Sequence, residues 1–262
     1  MAFSIRETAR ERRRMARGCA RQVLNAGANR LTLVLAGIAC VTVSFFSYFV
    51  VWIGSMALYA SPVGERLGEE GFLFWCIMHL LILLLFWLLA TPLWLGTYRM
   101  AICMVDGRRI DGKDFFRYVA DARAYGRALG ITARLILRWL PAVVGYVLMQ
   151  AFWGSDLLGV LLLVLFVLTV VISLLWVGAL GGFVTVALTD DGLSLRRARR
   201  LAARALAGER MCDFGFHLGM AWRMLVSLLL VGVPLMLHTL PASMLSAACY
   251  VRRRLARDDL YF

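Results

Sequence analysis

The chain has 262 residues, 61% of them hydrophobic and only 17% charged, with a mean hydropathy of +0.76. Such a composition excludes an ordinary soluble domain and a disordered chain, and it predicts an integral membrane protein. The net charge is +13, carried by arginine at every basic position except Lys113, so the places where the arginines fall decide the reading.

Residues 1–30, MAFSIRETARERRRMARGCARQVLNAGANR, hold eight arginines among helix-forming alanines. They predict a basic helix that is cytoplasmic or interfacial, with a disordered basic tail as the alternative. Residues 31–262 then form a single transmembrane domain. Charge-free runs cover 31–64, 71–98, 139–155, 157–189 and 224–251, and crossing the hydrocarbon core takes roughly 20 apolar residues. The first span is placed at 33–58. Its polar lead and its charge-free run are both too long for a signal peptide, and SMALYA lacks small residues at both cleavage positions.

The second span, near 72–97, carries His79 and the core LLILLLFWLLA, which gains on the order of 5 kcal/mol on insertion. A turn-forming DGRRIDGK follows. After it, DFFRYVADARAYGRALG (114–130) places Phe115, Phe116, Tyr118, Val119, Ala122 and Tyr125 on one broad face, which predicts a surface segment. Spans three and four are placed near 135–153 and 157–183.

Residues 195–206, LRRARRLAARAL, form a basic amphipathic helix at helical spacing. Leu195, Ala198, Leu201, Ala202, Ala205 and Leu206 share one side, while Arg196, Arg197, Arg199, Arg200 and Arg204 take the other. Asp190, Asp191 and Gly192 form a turn before it, and Ser194 is placed to cap it. A nucleic-acid reader would pair such cations with stacking aromatics, and this segment has none. The five arginines are therefore candidate contacts for anionic lipid headgroups. Leu95-Gly96 precedes Asp106-Gly107 by the same eleven residues that separate Leu180-Gly181 from Asp191-Gly192. That spacing raises a duplication of the unit span, surface helix, span; chance in a low-diversity membrane sequence explains it too.

Two further spans fit near 213–232 and 235–252, interrupted by Gly232, Pro234 and Pro241. Six spans leave eight basic residues at the N-terminus, nine from Arg99 to Arg138, seven from Arg196 to Arg223 and four in the tail on one side, with only Arg66 opposite. Positive charge marks the cytoplasmic side, so both termini are expected there. Five spans would instead carry Arg252, Arg253 and Arg254 outside. The weak point of six is Arg223, which falls in mid-span at about 3 kcal/mol unless it snorkels or meets a partner. The expected fold class is thus all-α, a polytopic membrane helix bundle of about six transmembrane helices with amphipathic cytoplasmic surface helices.

ARQVLNAGANRLTLVLAGIA, TPLWLGTYRMAICMVDGRRIDGKDFFRYV and the closing FGFHLGMAWRMLVSLLLVGVPLMLHTLPASMLSAACYVRRRL occur in a familiar order. They resemble a group of bacterial integral membrane proteins catalogued as a domain of unknown function, related to the membrane domain beside some glycerophosphodiester phosphodiesterases. The resemblance covers nearly the whole chain and rests on packing and turn residues. It departs at TLPAS, where the family has Pro followed by an aromatic. It implies a six-span fold in a bacterial plasma membrane and supplies no activity.

No sequence motif calls for a cofactor or metal. DDGLSLRRAR lacks the downstream aspartates of a lipid-headgroup transferase, and no phosphate-cradling loop or H-E-x-x-H is present. The six cysteines lack metal spacing, and most of them read as small buried residues. The candidate intramembrane polar residues are His79, Arg138, Arg223 and His238, expected to face the bundle or a water-filled cavity. The leading expectation is a non-enzymatic membrane protein acting through lipid or protein contacts at its cytoplasmic face, with a membrane-protein partner or a homo-oligomer open to it. The alternative is a small transporter or channel for an unidentified solute. An enzyme would need carboxylates converging at the membrane boundary, for which Asp106, Asp111 and Asp190 are the candidates.

Overall fold

The computed structural model describes residues 9–25, 30–60, 77–78, 80–81, 84–151, 156–177, 180–206, 215, 218–219, 222–223, 226 and 239–257. These residues build helices and turns, with no strand among them. In chain order the helices are α1 (Ala9–Asn25), α2 (Arg30–Tyr59), a π-helical turn (Phe86–Ala90) running into α3 (Thr91–Val105), α4 (Gly112–Phe116), α5 (Ala122–Ala151), α6 (Asp156–Val177), α7 (Leu180–Asp190), α8 (Leu195–Leu206) and α9 (Leu240–Arg257). The fold class is all-α.

α3 is the hub, packing against α2, α4, α5, α7 and α9. Met100, Ala101 and Ile102 on it are fully buried, and its other core partners include Leu33 of α2, Val186 of α7 and Leu245 of α9. α1 lies along α9 with Ala16, Ala20 and Leu24 buried, while α5 and α6 pair with each other. Among the described residues, two stretches are long and apolar enough to cross a membrane, Arg30–Gly54 and Trp87–Val105. Phe45, Phe46, Phe49, Trp52 and Ile53 of α2 stand exposed, as do Val160, Leu161, Val164, Val167 and Leu168 of α6. Apolar faces of that extent call for a non-aqueous surrounding or a partner.

Several sequence boundaries shift. α3 runs past residue 97, near which the second span is expected to end, and reaches Val105. The expected surface segment 114–130 is not one piece. Asp121 accepts from the Arg123 amide at 3.2 Å through its side chain and caps a new helix, α5, which continues unbroken into the expected third span. Of the face expected there, Phe115 and Tyr118 are buried, whereas Phe116 and Val119 are exposed. Within the expected fourth span the described residues are those of α6, through Val177, and of α7, from Leu180. α9 starts at Leu240 and passes Arg252 to end at Arg257. Most of the expected fifth span lies outside the described residues.

The π-helical turn has a local cause. Pro92 has no N–H to give the Leu88 carbonyl four residues back, and the Tyr125 hydroxyl donates to that carbonyl at 2.7 Å. Two turns further along α5, the Thr132 hydroxyl accepts from the Trp87 indole at 2.8 Å. Together these bonds tie the first turns of α5 to the start of α3.

Among the cysteines, Cys40 and Cys103 are buried thiols, as small apolar residues would be. Cys19 and Cys249 take another role. They are joined as a disulfide between α1 and α9, with Cα atoms 6.5 Å apart, because the docking of the two helices brings together positions that share no sequence motif.

Candidate functional site

Two turns organise one end of the molecule. α3 stops at Asp106 with Gly107 at φ 70°, and α7 stops at Asp190, followed by Asp191 and Gly192 at φ 90°. In the first, Gly107 N–H donates to Met104 O at 3.1 Å and Arg108 N–H to Cys103 O at 2.8 Å. In the second, Gly192 N–H donates to Thr189 O at 3.2 Å and Leu193 N–H to Leu188 O at 3.1 Å. Both are Schellman caps, in which the left-handed residue is glycine because a Cβ would meet the backbone. The matched caps fall at the matched Asp-Gly pairs of the sequence, so the spacing there has a structural counterpart.

Arg252 joins the two turns. Its guanidinium donates to Asp106 at 2.6 Å and to Asp191 at 2.7 Å, which fixes the ends of α3 and α7 against α9. Beneath it lies a more deeply buried set. Arg99, with its side chain 10% exposed, bonds Asp190 at 2.6 Å and also pairs with Asp114; the Asp190 side chain is only 6% exposed. Arg108 reaches Asp106 at 2.6 Å and the other oxygen of Asp190 at 3.1 Å.

Burial lowers the pKa of Arg108, but its hydrogen bond to Asp106 and the nearby negative charges outweigh it, so the net shift is upward. Burial, with the Asp190 charge beside it, pushes the Tyr118 phenol up. Gly96 completes the packing, since a Cβ there would run into the Phe115 carbonyl of α4.

The carboxylates that an enzyme would need are therefore partly together. Asp106 and Asp190 share Arg108, but each is committed to guanidinium groups. Asp111 stands apart at the start of α4, where its amide donates to Asp114 at 3.0 Å. No group of His, Cys, Asp or Glu among the described residues is arranged to hold a metal ion. What the cluster does physically is neutralise buried charge and lock helix ends.

α8 follows directly from the second turn. Ala198, Ala202 and Ala205 are buried against the bundle, and Arg254 of α9 donates to the Ala205 carbonyl at 3.1 Å. Arg196, Arg197, Arg200 and Arg204 are exposed on the opposite side. Arg199 differs from them. It is half-buried beside Gly130 of α5, where its guanidinium lies 3.4 Å from the position a Cβ would take.

Of the intramembrane candidates, His79 and His238 lie outside the described residues. Arg138 is within α5, and its side chain is likewise outside them. Arg223 is exposed and shares a cleft with Arg17, Arg21 and Arg30.

Sequence reading passed over Arg99 and Arg252. The usable signal was the acidic residues, since Asp106, Asp114, Asp190 and Asp191 stand out in a chain with 29 basic and only 16 acidic side chains.

No family model matches the chain, and no curated protein or solved structure is similar to it. The resemblance to the bacterial family rests on its motifs alone.

Proposed function

We propose that the chain is a bacterial inner-membrane protein of six spans with both termini in the cytoplasm, acting without catalysis through lipid or protein contacts at its cytoplasmic face. One observation carries the reading. All four basic stretches meet at one end of the bundle: Arg99 and Arg108 through Asp190, Arg252 through Asp106 and Asp191, α8 through Arg254, and α1 by packing along α9. Sequestering guanidinium groups at one face is what a positive-inside topology requires.

On that face α8 presents Arg196, Arg197, Arg200 and Arg204 outward, while its alanines hold it to the bundle. Each such arginine contributes about 1 kcal/mol of attraction to an anionic leaflet. The resemblance to the bacterial family supports the same span count, and its members supply no activity to carry over.

The test places an environment-sensitive fluorophore on α8 through Ala203→Cys, in a chain whose own cysteines are replaced, reconstituted in nanodiscs. Phosphatidylglycerol discs are expected to shift the emission to the blue relative to phosphatidylcholine discs, and high salt to reverse the shift. Neutralising the four exposed arginines to Gln is expected to abolish it. Equal emission in the two lipids would defeat the proposal.

A further inference from the structure

A second basic feature lies away from α8. Arg17 and Arg21 of α1, Arg30 at the start of α2 and Arg223 line a cleft of about 760 Å³, and no carboxylate is found among its described lining residues. The four guanidinium-bearing side chains come from α1, α2 and the helical turn that holds Trp222 and Arg223. The facing wall is α9, which contributes Ser243 and Ser246, and Trp222 stands 65% exposed at the rim. Ser246 donates its hydroxyl to the Ala242 carbonyl at 2.7 Å, so the arginines are left to supply the donors for what enters.

We propose that this cleft binds a phosphate-bearing anion. Guanidinium groups match phosphate oxygens in charge and fork geometry, and several converging from different helices discriminate a doubly accepting anion from a lone halide. Arg21 and Arg223 are exposed and belong to separate segments, so an anion between them also offsets the mutual repulsion of the arginines. At about 760 Å³ the cleft has room for a phosphate with a glycerol attached. This site is distinct from the α8 face and stands whether or not α8 contacts lipid.

The experiment uses the full chain in a neutral detergent and phosphate-free buffer. Inorganic phosphate and phosphatidylglycerol are titrated separately, with phosphatidylcholine as the zwitterionic control. Saturable binding is expected with at least one anionic probe, and which one saturates says whether the occupant is a free anion or a lipid headgroup. Arg21→Gln together with Arg223→Gln is expected to weaken it about tenfold or more, while Gln at the four exposed α8 arginines leaves it unchanged.

On the unmodified chain, the same probe is expected to slow phenylglyoxal labelling of Arg21, Arg30 and Arg223 but not of Arg200. This second measurement needs no variant to fold. Absence of saturable binding to both probes would overturn the proposal. So would equal affinity in the double variant, or labelling of the cleft arginines that the probe does not slow.

Discussion

The Tyr125 hydroxyl donates at 2.7 Å to the Leu88 carbonyl, the acceptor that Pro92 cannot serve from within its own helix. A phenol 37 positions along the chain thus repairs what a proline opens. Tyr125→Phe keeps the ring and removes that donor, and a loss of about 1 kcal/mol is expected. Thermal unfolding in detergent would read it as a lower midpoint. An unchanged midpoint would mean that the carbonyl is satisfied some other way.

Asp190 is the most consequential carboxylate of the cluster. Asp190→Ala leaves Arg99, whose side chain is only 10% exposed, with Asp114 alone, and removes the second partner of Arg108. Breaking a buried pair from one side costs about 3 kcal/mol or more. Replacing Arg99 and Asp190 together with leucine is expected to cost less than the sum of the two single changes, because the most buried pair goes as a unit and only the more exposed Asp114 and Arg108 lose a contact. Stability of the four combinations in a double-mutant cycle measures the coupling.

The two turn glycines make a matched comparison. Gly107→Ala and Gly192→Ala each force a Cβ into a left-handed conformation, costing about 1 kcal/mol apiece. Arg252→Gln is expected to make these two losses more nearly additive, since Arg252 holds both turns through Asp106 and Asp191. Losses that combine identically with and without Arg252 would show the turns to be independent.

Gly96 is constrained by neighbours rather than by torsion. Gly96→Ala drives a methyl group into the Phe115 carbonyl, so α4 must move away from α3. The expected result is faster proteolysis in the 106–121 connection, together with a destabilisation of about 2 kcal/mol, in the range of an overpacked core. Gly18, which has open space about it, is the control, and Gly18→Ala is expected to be neutral or slightly stabilising.

Cys19 and Cys249 report the compartment. If this end of the bundle is cytoplasmic, the pair is kept reduced in growing cells, and both sulfurs take up a maleimide after acid quenching and unfolding. Diamide treatment before the quench is expected to remove two labels from each chain without creating a dimer, since the Cα atoms are 6.5 Å apart within one molecule. Pairing already complete in untreated cells would place this end on the oxidising side and reverse the topology.

Much of the local structure was legible in the sequence. α8 begins directly after Ser194, its alanines are inward and most of its arginines outward, because a hydrophobic stripe at helical spacing states its own orientation. The Asp-Gly pairs marked real helix ends, since only glycine enters the left-handed turn freely. The 114–130 segment misled because its aromatic residues suit either a surface helix or a buried corner. The choice was made by Asp121 capping α5 and by α3 closing over Phe115 at Gly96.

By itself the sequence determined the helical class, the apolar helices and the clustering of arginine, since hydrogen bonding within a helix, apolar transfer and the cost of burying charge all act over a few residues. Tertiary structure alone decided that Arg99 meets Asp190 across 91 positions, that Arg252 spans two turns, and that Arg21 and Arg223 share a cleft. Charges attract through space whatever their order along the chain, and only the path of the folded backbone sets which of them come near.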